Sequence, residues 1–325
     1  MSWFILILAC ILLWSVTDIL YKASSNHDDP LSQYKIFVWI GIVMVVAGVI
    51  MSNRSDTLLD SVKRVRDNLY LIPLFLVYSG ALLFGLLGKK HLAASVASPL
   101  ENIDGALAVI IIYFYFLLTG YIHPSYGVSV LGVIASVIIV IGIVLLGCQE
   151  QSLMREEEHL SEDKKRHRLG ALALLFPIIY NLIDGFLIAE VSGISNNSDI
   201  VAKGSETFIP AMDIFIFECV SFAVVAIGIW LYMLIAKKYA YNPFRGKELI
   251  RFGAATGETF GTMTFVFAVA IKPELTAPIV SSYCLVTIVL ARIFLKERLT
   301  KKQYLSLAFL VVGIALLGVS EIINV

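Results

Sequence analysis

The feature that most constrains this chain is the recurrence of long apolar runs. Stretches of roughly 20 apolar residues follow one another along the whole length, and each spans about 30 Å of hydrocarbon as a helix. Barrel strands would be short and alternating, whereas these runs are long and continuous, so they are read as helices. Hydrophobic residues make up 58% of the chain and charged residues 15%. A soluble domain carries about 25% charge, so too little polar surface is present here to coat one. The net charge of zero gives no footing for a nucleic-acid partner. Cys10, Cys148, Cys219 and Cys284 all fall inside apolar runs and form no CxxC, as small hydrophobes in helices do.

Ten spans are expected, at about 3–22, 35–51, 70–88, 93–118, 126–148, 170–190, 209–236, 250–270, 276–295 and 303–321. The first, "MSWFILILACILLWSVTDILYK", lacks a basic lead and an A-x-A site and is read as a retained helix. Near the midpoint lies the densely charged "CQEQSLMREEEHLSEDKKRHRLG", read as a solvated linker loop over 149–169. It separates two halves, 1–148 and 170–325, that resemble each other in order. "GIVLLG" (142–147) closes the fifth span and "GIALLG" (313–318) the tenth. "AASVASPL" and "PELTAPIV" open the fourth and ninth, which sets Pro99 over Pro278. "WSVTD" in the first span lies over "YNLID" in the sixth, so Asp18 matches Asp184. An odd number of spans per copy requires the second copy to be inverted in the membrane. The expected fold is therefore an all-α integral membrane protein of ten transmembrane helices in two inverted five-helix repeats, the usual frame of alternating-access carriers. Eighteen Lys and Arg residues on the side of loops 1–2, 3–4, 5–6, 7–8 and 9–10, against six on the other, put both termini outside.

This layout resembles the drug/metabolite transporter superfamily in its ten-helix, EamA-like form. The likeness is carried by "KKHLAASVASPL" (89–100), "KPELTAPIV" (272–280) and above all "IFLKERLTKKQYLSLAFLVVGIALLG" (293–318). It implies a secondary carrier of small metabolites with its site between the halves, in a bacterial plasma membrane, as a monomer or homodimer and without a cofactor. The chain departs from the family pattern after "SPL", where Glu101, Asn102 and Asp104 follow instead of small or apolar residues.

Those residues must be argued physically. Asp18, Glu101, Asp104, Asp184, Glu218 and Glu258 fall well inside expected spans. A carboxylate at a helix centre costs about 2.5–3.5 kcal/mol even on the lenient insertion scale, so six facing lipid would cost more than a fold's whole margin. They are expected to face the bundle interior. Spacing agrees: Glu101 and Asp104 share a helix face, as do Asn181 and Asp184, and Trp14, Asp18 and Tyr21 line one face of the first helix. In "GAATGETFGT", Gly253, Gly257 and Gly261 make a small-xxx-small ridge for a neighbouring helix, with Glu258 beside it.

The bases Lys22, Lys35, Lys89, Lys90, Lys272 and Arg292 lie at or near span ends, where they can snorkel to the interface. The span centres are thus expected to hold acid without matching base. Carboxylates crowded in a low dielectric cannot all be ionised, so at least one is expected to carry a proton. An acidic cavity also suits a cation, and Trp14, Tyr21, Tyr180 and Tyr283 supply aromatic faces for an ammonium, although packing alone would also place them there. Pro99 and Pro278 suit matched kinks.

No HExxH, GxSxG, Walker loop or GxGD occurs, and the chain is read as no enzyme. The expected function is proton-coupled transport of a small cationic or zwitterionic metabolite such as choline, a polyamine or an amino acid. A multidrug cation exporter is an alternative. So is a nucleotide-sugar or phosphate exchanger, which would need Lys or Arg deep in the helices.

Overall fold

The computed structural model describes residues 3–25, 29–55, 72–103, 130–156, 211–245, 248–271, 279–297 and 299–323, with isolated positions such as Ala106 and Thr276. The regular structure of these residues is all helical. They form α1 (Trp3–Ser24), α2 (Ser32–Ser55), α3 (Ile72–His91), α4 (Ala94–Glu101), α5 (Val130–Glu156), α6 (Ala211–Ile235), α7 (Leu249–Ile271), α8 (Tyr283–Leu290) and α9 (Lys301–Ile323). A π-helical turn, Ala291–Leu295, extends α8 and ends on Lys296 in the left-handed region at φ 58°. Four stretches, Trp3–Ser24, Ser32–Ser52, Ile214–Ile235 and Lys301–Ser320, are long and apolar enough to cross a membrane, as in an α-helical membrane protein. The expected sixth span, 170–190, lies outside the described residues apart from three isolated positions.

The expected linker loop over 149–169 needs correction at its start. α5 runs on to Glu156, because after Gly147 the residues "CQEQSLMREE" contain no glycine or proline and are mostly good helix formers. Span nine is also shorter as an α-helix than read: regular α-helix begins at Tyr283, after a turn at Ser281 and Ser282.

The long helices are mostly apolar, yet their faces differ in use. On α1, Phe4, Leu8, Leu12 and Val16 form an exposed stripe at four-residue spacing, the surface a bilayer solvates. Ile7, Cys10, Asp18 and Tyr21 are buried on the other side. With lipid as solvent, burial of apolar area drives little, and close backbone approach decides the packing. Glycines provide it. A Cβ at Gly257 or Gly261 would overlap Thr17 or Trp14 of α1, and one at Gly253 would touch Leu20. The expected ridge on α7 thus receives α1, with the two helices antiparallel. On α2, Gly41 meets Ala226 and Gly48 meets Cys219 of α6, again antiparallel. The α5–α9 pair repeats the pattern: Gly142 faces the Ser306 carbonyl, Phe309 and Leu310, while Gly313 faces the Ala135 carbonyl and Ile139.

The largest core joins α2, α3, α6 and α7, with Phe37 stacked on Phe222 and Phe75 on Phe217 at centroid distances of 5.7 and 5.8 Å. Ser79 of α3 and Ser221 of α6 share a buried hydrogen bond of 2.9 Å. α8 lies against both α1 and α4, so the polar faces of α1, α4 and α8 are brought together with the end of α3.

Candidate functional site

The site begins with the way α3 ends. The last carbonyls of a helix have no partner within it and attract cations. Lys22, in the last turn of α1, reaches across and donates to the carbonyls of Lys89, Lys90 and Leu92 at 3.2, 3.3 and 2.6 Å. This clamp seats the C-terminus of α3 on α1 and turns Lys89 inward. The Lys89 ammonium then lies 2.6 Å from Asp18 Oδ1 of α1 and 2.6 Å from Glu101 Oε2 of α4. The side chains of Lys89, Asp18 and Glu101 keep only 8, 5 and 10% of their exposure, so both ion pairs are shielded.

The start of α4 is held separately. Its first N–H groups have no helical acceptor, and Glu297, just beyond the π-helical turn, accepts from Ala94 N at 2.9 Å and Ser95 N at 3.0 Å. The charged acceptor sits where a helix N-terminus favours an anion. Glu297 therefore fixes the helix that carries Glu101.

Around this centre, Thr287 of α8 donates toward Asp18 Oδ2 at 3.5 Å. Tyr21, one turn beyond Asp18 on α1, donates to Glu258 Oε2 of α7 at 2.9 Å. Its ring lies 5.5 Å from the Lys89 nitrogen, within cation–π reach. Trp14 packs on Tyr283 and Phe265, with centroids 5.7 and 5.2 Å apart. Asn102 donates back to the Ser98 carbonyl at 2.8 Å and lies beside Tyr283. Three buried carboxylates, Asp18, Glu101 and Glu258, thus surround one buried ammonium.

Of the residues singled out from sequence, Trp14, Asp18, Tyr21, Glu101, Asn102, Glu258 and Tyr283 come together here. Glu218 is buried on α6, which packs chiefly on α2 and α3, and it stands outside this cluster. Asp104, Asn181, Asp184, Tyr180 and Pro278 lie outside the described residues. The expectation that the acids lack a matching base is corrected. Lys89 closes an Asp18–Lys89–Glu101 bridge across three helices, because the end of α3 packs into the bundle. Sequence reasoning also passed over Thr287 and the Lys22 clamp. The available signal was weak: Lys22 follows Asp18 by four residues and looks like its partner, yet the partner is Lys89. Among the described residues no group of three His, Cys, Asp or Glu side chains is placed to hold a metal ion.

No family model matches the chain, and no curated protein matches it. Solved structures do match in fold. One described only as "Crystal structure of protein" aligns over 99% of this chain and 98% of its own, with a TM-score of 0.62 and 14% identity. At that identity the likeness concerns the fold alone.

Proposed function

We propose that the chain is a secondary carrier of a small cationic or zwitterionic metabolite, proton-coupled and working by alternating access. In this reading it has ten transmembrane helices in two inverted five-helix repeats, 1–148 and 170–325, and is an EamA-like member of the drug/metabolite transporters. It sits in a bacterial plasma membrane with both termini outside, as a monomer or homodimer, without catalytic activity or cofactor.

The pairing of helices supports the repeat. A single shift of 171 residues carries Gly142 to Gly313, Ala135 to Ser306 and Ile139 to Leu310. These are the residues that α5 and α9 present to each other, so their contact is reciprocal, as a two-fold axis between copies requires. Helices in corresponding positions, α2 with α6, α4 with α8 and α5 with α9, all pack together. The antiparallel course of α2 against α6 and of α5 against α9 is what inversion demands.

The observation that carries the function is the Asp18–Lys89–Glu101 bridge with Glu258 beside it. Buried ionisable groups within a membrane bundle are costly and mark substrate or proton paths. This bridge ties three helices near the end of the bundle where α1 and α3 terminate. Its making and breaking provides a two-state element that a proton or a cation can bias. The acid surplus favours cationic cargo over nucleotide sugars or phosphate. The test is substrate-dependent proton flux in proteoliposomes. Glu101→Gln and Asp104→Asn should each slow transport and change its pH profile. Wild-type rates with an unchanged profile in both would sink the proposal. A broad response to bulky aromatic cations would point to the multidrug exporter instead.

A further inference from the structure

We infer that the Asp18/Glu101 pair is a binding site for primary alkylammonium groups, occupied in this structure by the chain's own Lys89, which substrate must displace. The inference deepens the carrier reading and rests on it for the displacement. The ammonium selectivity stands on geometry.

Lys89 defines the site by filling it. Its nitrogen meets two carboxylate oxygens from different helices at 2.6 Å each, with the Tyr21 ring 5.5 Å away. The Asp18 contact is a charge-assisted N–H···O bond, which needs a hydrogen atom on the nitrogen, and the Glu101 contact is an ion pair at the same separation. A primary ammonium has three N–H donors and a single carbon substituent. One donor serves Asp18, Glu101 is met as a close ion pair, and the stem leaves by one direction. A quaternary ammonium has none. Its methyl carbons meet oxygen at about 3.5 Å or more, which holds the nitrogen roughly 4 Å or farther from both carboxylates. Such a cation would have to push α1 and α4 apart. The site therefore favours polyamines and the amino groups of amino acids over choline.

Charge points the same way. With Lys89 present, Asp18, Glu101 and Glu258 already outnumber the one cation among them. Expelling Lys89 without a replacement would leave adjacent buried carboxylates uncompensated. A substrate ammonium, or protons, must take its place as it leaves. A tethered cation of this kind keeps the pair partly compensated between transport cycles and makes its opening conditional on a matching ligand.

The test uses the purified full-length Lys89→Ala variant in detergent, followed by thermal melting. Alanine removes the Cγ, Cδ and Cε carbons and the ammonium, so n-propylammonium matches what is missing. The variant should melt below wild type. n-Propylammonium chloride should raise its melting temperature saturably, while tetramethylammonium chloride at equal ionic strength should not. The same amine should leave the Lys89→Ala/Asp18→Asn/Glu101→Gln triple variant unmoved. If Lys89→Ala cannot be purified alone, it is prepared in n-propylammonium and the amine is dialysed away, which should then lower its melting temperature. Equal rescue by tetramethylammonium, no rescue by n-propylammonium, rescue of the triple variant, or failure to obtain folded protein even with the amine would each overturn the proposal. No transport is measured. Rescue together with inactive proteoliposomes therefore sinks the carrier reading alone, and transport without rescue sinks the ammonium site alone.

Discussion

Removing the two carboxylates around Lys89 separately and together gives a sharp test of how that lysine is buried. Asp18→Asn leaves Lys89 paired with Glu101, and Glu101→Gln leaves it paired with Asp18. Asp18→Asn loses a hydrogen bond between charged groups, about 1.5–3 kcal/mol, and Glu101→Gln loses a buried ion pair. The double variant differs in kind. It strands an ammonium whose side chain is only 8% exposed, and an uncompensated buried charge costs about 3–5 kcal/mol. Stranding is a cost absent from either single variant, so the double loss should exceed the sum of the singles, by about 0.5–3 kcal/mol as for residues in one network. Adding Lys89→Met removes the stranded charge while keeping an apolar stem, and should recover most of that excess. With an unfolding entropy of about 2.1 cal/mol/K per residue, 4 kcal/mol over 325 residues corresponds to roughly 6 °C in melting temperature. The assay is thermal melting of the four variants in one detergent. Simple additivity, or no recovery on adding Lys89→Met, would show that Lys89 escapes to the surface, and the argument from burial would fall.

Gly257→Leu should destabilise by about 1–3 kcal/mol or more through overpacking, because its Cβ alone already overlaps Thr17 of α1; a melting temperature within error of wild type would contradict the close α1–α7 packing. Gly142→Val and Gly313→Val should both destabilise, since a Cβ at either crowds a carbonyl and a side chain on the opposite helix of the same pair; one silent and one damaging substitution in denaturant titrations would break the two-fold equivalence. Asp29, in the turn before α2, accepts from Lys35 at 2.7 Å and from Leu31 N at 2.9 Å. Partial burial alone would push its carboxyl up, but those two donors and the Lys35 charge hold it below its ordinary value. Its folded value is thus the lower one, so its contribution is complete above the unfolded value of about 3.9 and fades as pH falls through the folded value. Asp29→Asn should accordingly flatten the acid limb of melting temperature plotted against pH, and an unchanged limb would count against the ion pair.

The helical class and the positions of the four long apolar helices were legible in the sequence because apolar run length is a one-dimensional quantity, set by the thickness of hydrocarbon to be crossed. The ridge at Gly253, Gly257 and Gly261 was legible for a similar reason, as helical period alone puts those residues on one face. So was the inward direction of Asp18, Glu101 and Glu258, since lipid excludes charge whatever the fold. The extent of α5 was misread because hydropathy stops at the membrane edge, whereas helix propensity in "CQEQSLMREE" does not.

Only the tertiary structure decided which groups meet. Lys89 stands at the end of its helix, and distance along a helix was taken for depth in the bundle. The C-terminus of α3, drawn onto α1 by the Lys22 clamp, is nevertheless buried, and it puts the ammonium between carboxylates 71 residues before and 12 residues after it in the chain. Glu297, in a stretch noted only for family likeness, turns out to cap α4 from about 200 residues away. Pairings of that kind depend on where three or four helices cross. Crossing is set by mutual packing of small residues and backbone ends, which no single run of sequence encodes.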